Sequence, residues 1–395
     1  MIAIQNNKYY VINDLCQQCG SCVAICNKDA VKYIRDERTG LLNLSIQYDK
    51  CINCGLCENI CPANKDTSIS NIESYCQSKT YYLGHSKELL IRKNASSGGI
   101  ARTIIIEGLR CGIFDGVYTL IKTDKYPFAE GYFYTKDNIP NYGDISNSIY
   151  HSVPLNLDMR RIQKCEKLLI VGTPCQLLSL SQFAKNKCHQ LFSLCIFCKH
   201  KKNFLSTKFI ARLAGIELKS FNTVRSYSYR GNGWPGYCTF DDKKVFWGVA
   251  ALLPFGQKLW SVPGCDICGN PFGVADISLM DPWNIHKKND YGSNVVIVHN
   301  TYGESILNLL KDYIELTPLS YKEVKSTLML DDIESKNKLI SFYQKRENKL
   351  KLQFIGKLDK YQRRILEIIC LNIPKMPLMF YRILNKLIFN FRKLI

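Results

Sequence analysis

Two stretches near the N-terminus carry cysteines at a spacing suited to inorganic chemistry. Cys16, Cys19, Cys22 and Cys26 follow C-x2-C-x2-C-x3-C, and Cys51, Cys54, Cys57 and Cys61 repeat the pattern, closing on Pro62. In such doubled runs three close thiolates hold one 4Fe-4S cluster, and the fourth cysteine crosses to the other cluster. The spacing therefore predicts Cys16, Cys19, Cys22 and Cys61 on a first cluster, and Cys51, Cys54, Cys57 and Cys26 on a second. Gly20 and Gly55 sit between ligands, where a chain wrapping a cluster needs permissive dihedrals and close backbone approach.

This is the ligand pattern of bacterial dicluster ferredoxins. Asn27 stands where the first run would usually have proline, a departure that touches turn geometry more than ligation. Four thiolates also suit tetrahedral zinc, so a zinc-stabilised scaffold is the competing reading. The doubling of the run weighs against zinc. Adjacent clusters imply one-electron traffic.

A second group of cysteines is scattered. "LLIVGTPCQLL" runs from an apolar strand pattern into a helix and leaves Cys175 in the turn between them. "VPGCDICGN" carries Cys265 and Cys268 as C-x2-C, and "LCIFCKH" offers Cys198, with Cys195 as a competing choice. A lone C-x2-C is ambiguous among zinc, a redox dithiol and half of a cluster site. A lone cysteine is commonly just a small buried hydrophobe. Strand ends gather at one edge of an open α/β sheet, which is where two separated cysteines can complete such a pair.

Beyond the polar linker that follows Pro62, strands alternate with helices, the pattern of an α/β core with a mixed sheet and flanking helices. "NASSGGIARTIIIEGLR" offers Ser96 or Ser97 as a helix cap, then Gly98 and Gly99, then an apolar helix. A turn of this kind presents N–H groups to an anion such as a cofactor phosphate; the alternative is an ordinary cap with flexible glycines. "GNGWPG", residues 231–236, satisfies G-x-G-x-x-G, but that fingerprint needs a strand before it and an opening helix after it. Trp234-Pro235 inside and the strand-like "YCTFDDKKVFWGV" afterwards exclude it. A hairpin or loop is expected, with Arg230 and Trp234 available to meet a flat ring or a phosphate. The six histidines show no metal spacing; His151, beside Tyr150, is the one to test for proton handling.

Taken in order, "SSGGI", "VGTPCQ", "YRGNGWPG", "GCDIC", "ADISLMDPW" and "GSNVVIV" resemble the coenzyme F420 hydrogenase/dehydrogenase beta-subunit family over roughly residues 78–325. Members with an N-terminal double-cluster ferredoxin domain look like this chain. The resemblance implies an FAD-containing α/β core with its own 4Fe-4S cluster beside the flavin. It places Ser97, Gly98 and Gly99 at the flavin, and Cys175, Cys198, Cys265 and Cys268 on the third cluster; Ser96, Ser148, Tyr150, Arg230 and Trp234 are further candidates at the cofactor. Asp276, Asp281 and Trp283 match its Asp-Ile-Ser to Asp-x-Trp segment, a part that shapes the cofactor site or simply supports it. Many members have Ser-Lys-Tyr where this chain has Ser148-Ile149-Tyr150, Cys-His-Gly where it has Cys198-Lys199-His200, and Ser-x-Gly-Asp where it has "SLMD". These departures put deazaflavin specificity in doubt.

A flavin exchanges two electrons as a hydride and releases them singly, whereas a 4Fe-4S cluster carries one at a time. The expected function is an oxygen-sensitive iron-sulfur flavoprotein oxidoreductase passing electrons between a hydride donor or acceptor at FAD and the clusters, with coenzyme F420 as a candidate substrate. The alternatives are a non-catalytic ferredoxin-type subunit of a larger oxidoreductase complex, and a ferredoxin-fed reductase in a bacterial biosynthetic pathway such as that of a polysaccharide. In each, a redox partner protein is implied.

At 395 residues with 46% hydrophobic content, the chain can build large cores. The expected units are residues 1–75, a small α+β ferredoxin-like domain; 76–165, the flavin-binding first part of the core; 166–340, its second part with the third cluster; and 341–395, a basic helical tail. The start reads as no secretory signal and no run of about 18 apolar residues occurs, so the cytoplasm is the expected compartment. The formal charge of +19 does not point to nucleic acid, because residues 341–395 hold 13 Lys and Arg against 3 Asp and Glu, which leaves +9 for the body. In that tail "LMFYRILNKLIFNFRKLI" sets its cations on one helical arc. Peripheral membrane contact is one expectation for it; packing on the body or on a partner is the other.

Overall fold

The computed structural model describes residues 2–5, 8–11, 13–285, 291–344 and 363–372. The N-terminal segment contains two antiparallel ribbons, β1 (Ile2–Gln5) with β2 (Lys8–Val11) and β3 (Val31–Asp36) with β4 (Leu41–Ile46), and two short helices, α1 (Ser21–Ile25) and α2 (Leu56–Asn59). Each helix follows the second cysteine of its run and starts from a glycine in the left-handed region, Gly20 at φ 101° and Gly55 at φ 76°. The repeat in sequence is thus a repeat in backbone. Strict alternation along β4 buries Leu42, Leu44 and Ile46 on one face, and Leu44 and Ile46 pack with Cys16, Cys22 and Cys57.

The stretch after Pro62 is more than a linker. Helix α3 (Ile72–Gln77) forms there, capped by Asn71 Oδ1, which accepts from Ser74 N at 2.9 Å. It docks through Ile72 and Cys76 against Val295 and Ile297. Two apolar residues at i and i+4 anchor so short a helix without producing a readable period.

Strands β5 (Thr80–Ser86), β6 (Gly116–Lys122), β7 (Ala129–Thr135), β8 (Cys165–Gly172), β9 (Cys188–Ile196), β10 (Tyr227–Ser228), β11 (Tyr237–Phe240), β12 (Lys243–Phe246), β13 (Ile277–Met280), β14 (Asn294–Val298) and β15 (Ile314–Leu319) follow. β10–β12 form a separate antiparallel ribbon, and "GNGWPG" is the loop between β10 and β11. The other eight make one mixed sheet in the order β15-β5-β14-β13-β9-β8-β6-β7. Strands from residues 76–165 and 166–340 share it, so these two parts build one layer. Pairs β6·β8, β8·β9 and β9·β13 are parallel, and the outer pairs are antiparallel.

The continuous apolar run in β8 serves both faces, as a central strand requires. Leu169 and Val171 join Ile100, Ile104 and Val296 on one side. Leu168 and Ile170 join Leu177 and Leu180 on the other, together with Ala24 and Ile60 of the N-terminal segment. That segment therefore packs on the core through α6 (Pro174–Ala184). A further aromatic core lies under β10–β12 and the helix Phe204–Leu213.

The helix after the Ser-Gly-Gly turn spans Ile100–Arg110, and its N-cap is Gly99 at φ +81°, not Ser96 or Ser97. Glycine alone takes that conformation without strain, which leaves the serines free to bond elsewhere. At the C-terminal end residues 363–372 are helical and bury Cys370 in the aromatic core. The basic amphipathic stretch 378–395 lies outside the described residues. Among the described residues no helix is long and apolar enough to cross a membrane.

Candidate redox centre

The N-terminal thiols group across the two runs. Burial pushes Cys19 up to about 11, with Cys175 and Cys61 adding repulsion. Cys22 is likewise raised by burial, then by Cys19, Cys16 and Cys61. In the other set burial pushes Cys57 up to about 11, with Cys26 and Cys54 adding to it. The fourth cysteine of each run thus lies with the opposite run. The two sets differ in depth: Cys16, Cys19, Cys22 and Cys61 are all buried, whereas of the other set only Cys57 is buried, Cys54 being exposed and Cys26 and Cys51 half-buried.

The scattered cysteines meet at one sheet edge. β8 and β9 run parallel with Gly172 beside Cys195, so their C-terminal ends deliver Cys175 and Cys198 to the same side. A capping box between Thr173 and Gln176 fixes the turn that carries Cys175. Cys265 and Cys268 arrive on a tight turn, Pro263–Ile267. The strip after Cys198 ties them in: Val262 N donates to Lys201 O at 2.9 Å, and Lys201 N donates to Cys265 Sγ at 3.3 Å. Burial pushes Cys198 up to about 12, with Cys175 and Cys268 adding repulsion, and Cys265 is raised by burial and then by Cys198. Cys195 shares this neighbourhood, but it sits in the sheet, packed with Leu177 and Leu180.

This group abuts the inner N-terminal set. Ser21 Oγ donates to Ser179 Oγ at 2.6 Å, and Asn156 Nδ2 donates to both, at 2.8 and 3.0 Å. Asn156 N donates to Cys19 O at 3.0 Å. A Cβ on Gly264 would stand 2.4 Å from Cys16 O, so glycine permits the backbone contact between Cys265's turn and Cys16.

Among the described residues no three His, Cys, Asp or Glu side chains pack tightly enough to hold one metal ion; a tetrahedral zinc needs its thiolates roughly 3.8 Å apart. A different observation bears on what fits here. Lys201 is 6% exposed, and the anionic groups that raise its pKa against burial are the thiols of Cys175, Cys265, Cys198 and Cys19. A buried ammonium is tolerated beside ionised partners. Thiolates bound to iron supply them, so the residues fit an iron-sulfur cluster.

A cavity of about 260 Å³ opens between the segment 142–149 and the segment 226–232. Its walls include Asn94, Arg102, Asn147, Ser148, Ile149 and Arg230. Arg230 is fully buried; Nη1 donates to Asp281 Oδ2 at 2.9 Å and to Tyr150 Oη at 3.1 Å, while the rings of Trp234, Trp247 and Trp283 surround its guanidinium at 4.7, 5.1 and 5.5 Å. Among the described residues its Nη2 has no hydrogen-bond partner, and a buried donor of this kind calls for an acceptor. A flavin carbonyl or phosphate oxygen would answer it.

The Ser-Gly-Gly turn acts on this cavity from behind. Ser96 Oγ accepts from Ser148 N at 3.0 Å, Ser97 Oγ donates to Ser293 O, and Gly98 N donates to Asn294 Oδ1 at 3.0 Å. A Cβ on Gly98 would stand 2.6 Å from Gly84 O, so the close approach it allows is to β5. His151 is not in the cavity wall. Its Nε2 donates to Pro127 O at 3.0 Å, Nδ1 lies 3.0 Å from Thr207 Oγ1, and burial lowers its pKa to about 4, so it is neutral. Lys202 N donates to Tyr150 O at 2.9 Å, and Tyr150, itself outside the cavity wall, follows Ile149, which lines it.

Comparison with known proteins adds the lineage. Residues 165–322 match the model for the C terminus of the coenzyme F420 hydrogenase/dehydrogenase beta subunit, and residues 15–65 match a 4Fe-4S dicluster domain. Over residues 165–322 the chain is similar to the coenzyme F420 hydrogenase/dehydrogenase beta-subunit family. The dicluster segment precedes that region and holds all eight cysteines of the doubled run. A chain of the F420-reducing [NiFe] hydrogenase complex of Methanosarcina barkeri shares the fold at 18% identity and a TM-score of 0.50, over 66% of this chain and 91% of that one. No curated protein matches. The protein is an iron-sulfur electron-transfer subunit related to the F420 hydrogenase beta subunit.

Several residues of the site were not legible in sequence. Lys201 lies in the run "KHKK", which reads as a solvated charge patch. Asn156, Ser21 and Ser179 are single polar residues in apolar contexts, and only the docking of the N-terminal segment on α6 gives them each other.

Proposed function

We propose that this chain is a flavin-dependent oxidoreductase that wires a hydride-exchanging cofactor to three 4Fe-4S clusters. The observation that carries the reading is the contact between the two cysteine regions: Asn156, Ser21 and Ser179 hold their elements together, and Cys175 lies near enough to raise Cys19. In this reading Cys51, Cys54, Cys57 and Cys26 face the partner protein. Cys16, Cys19, Cys22 and Cys61 form the inner relay, and Cys175, Cys198, Cys265 and Cys268 hold the third cluster. Bound FAD supplies the conversion between two-electron and one-electron transfer. Arg230 offers its free Nη2 to an acceptor on the cofactor, while Asp281 and Tyr150 orient the guanidinium and keep it charged. Ser96 and the turn behind it fix the wall at Ser148.

The partner is a redox protein within a larger assembly, as the hydrogenase complex containing the structural neighbour suggests by analogy. Ile149 lies in the cavity wall where many relatives carry lysine, and this favours a hydride donor less anionic than coenzyme F420. A second reading, a carrier without flavin, draws support from the cavity volume, below the roughly 300–1,000 Å³ usual for ligand pockets, and from a Ser-Gly-Gly turn whose Ser97 hydroxyl and Gly98 N–H are already used.

The test is anaerobic purification, flavin extraction, and reduction trials with reduced deazaflavin, NADH, NADPH and reduced ferredoxin. About one FAD per chain, bleached by at least one of these, is the expected result. Absence of flavin, with clusters intact, replaces this reading with the carrier.

A further inference from the structure

The segment after Cys198 reads Lys199-His200-Lys201-Lys202, and a charge run of this kind is ordinarily solvated. Here Lys201 and Lys202 are 6% and 0% exposed. Lys202 donates from Nζ to Ser261 Oγ at 2.9 Å and lies over the Phe255 ring. Lys201 points the other way, toward the N-terminal segment. Its Nζ donates to the carbonyl of Gln17, between Cys16 and Cys19, at 3.3 Å, while its own N–H donates to Cys265 Sγ. One side chain thus spans from the third cysteine group to the inner N-terminal set. The thiols within its electrostatic reach come from both: Cys175, Cys265 and Cys198 on one side, Cys19 on the other. Lys336, 7% exposed, acts on Cys198 and Cys268.

We propose that Lys201 is a shared electrostatic bridge between the inner N-terminal cluster and the third cluster, stabilising the reduced form of both and so setting the electron's passage between them. This rests on the reading that both thiol groups hold 4Fe-4S clusters. A cluster with four thiolate ligands is anionic and gains a further negative charge on reduction. Net charge and nearby hydrogen bonds set its potential. One electron leaves the inner cluster and enters the third; no bond forms or breaks and no proton moves. The stationary ammonium is near the charge in either location, so the transfer is not opposed by the loss of a counter-ion. Lys201 is a positioning residue for charge, distinct from the ligands.

The test is an anaerobic redox titration of the full-length protein, each cluster followed by its electron paramagnetic resonance signal. At the wild-type midpoints Lys201→Met should raise the oxidised-to-reduced ratio of both the inner and the third cluster about tenfold, equal to a fall of about 59 mV for a one-electron couple. The outer cluster should not move. Lys201→Arg should restore both potentials, and Lys336→Met should shift the third cluster alone. Should Lys201→Met lose iron, Lys201→Gln repeats the measurement with the Gln17 contact retained. Full iron with neither signal shifted, or with only one shifted, overturns the bridge. A wild-type protein with no third signal overturns the functional reading beneath it, an outcome separate from unshifted potentials.

Discussion

The two cysteine runs share one spacing, and the two ligand sets drawn from them occupy different depths. The first run is packed under β4 and against α6, with Cys16, Cys19 and Cys22 each at most 6% exposed. The second leaves Cys54 in solvent, with Ile52 and Leu56 exposed beside it. Identical local chemistry therefore supports two roles, an outer port and an inner relay, and the difference comes from what the core places against each run. Ser179 and Asn156 stand next to the first.

The strongest way to break this comparison is to cut each run in turn. Cys19→Ser is expected to slow electron delivery from an external donor to the central region by more than about 100-fold in stopped-flow, because the inner relay is lost. Cys54→Ser should also stop entry from outside, yet leave exchange between the inner and central centres intact after flash reduction at the cavity. Equal loss of that internal step in both variants would mean that the two runs are not ordered.

Exposure gives a second contrast. Ferricyanide bleaching, followed by the visible charge-transfer band, should remove the outer cluster about tenfold faster than the inner one. A single rate for both would contradict their difference in depth.

A smaller effect appears in the metal-free chain. Cys19 stands at about 11 against a reference of 9.0 because burial opposes its thiolate. The folded form keeps the proton while the unfolded chain loses it above pH 9. Stability is therefore full below about pH 9 and falls as pH rises toward 11, by up to about 3 kcal/mol. Urea midpoints of apo protein should show this fall added to those of the other buried thiols, Cys22, Cys57, Cys198 and Cys265, and Cys19→Ala should lessen the total fall.

What the sequence disclosed follows the same division. The doubled run was readable because its ligands are local, and cross-grouping of Cys61 and Cys26 follows from a known pattern. Cys175 and Cys198 were readable only through the rule that parallel strand ends share an edge, which β8 and β9 obey. The Ser-Gly-Gly turn misled as to its cap because Gly99, not a serine, adopts the left-handed conformation, and its serines serve Ser293 and Ser148. Helix α3 was hidden since two anchoring residues make no period. Buried Lys201 ran against the habit of placing charge runs in water, and only the thiols around it give a reason for its burial.

The account turns on Cys175, Cys198, Cys265 and Cys268 holding a cluster beside the inner relay. Iron and acid-labile sulfide per chain, measured on anaerobically purified wild type and on Cys265→Ser/Cys268→Ser, test it most directly. About twelve irons in the wild type and about eight in the variant are predicted. About eight in both, with sulfide to match, would contradict it.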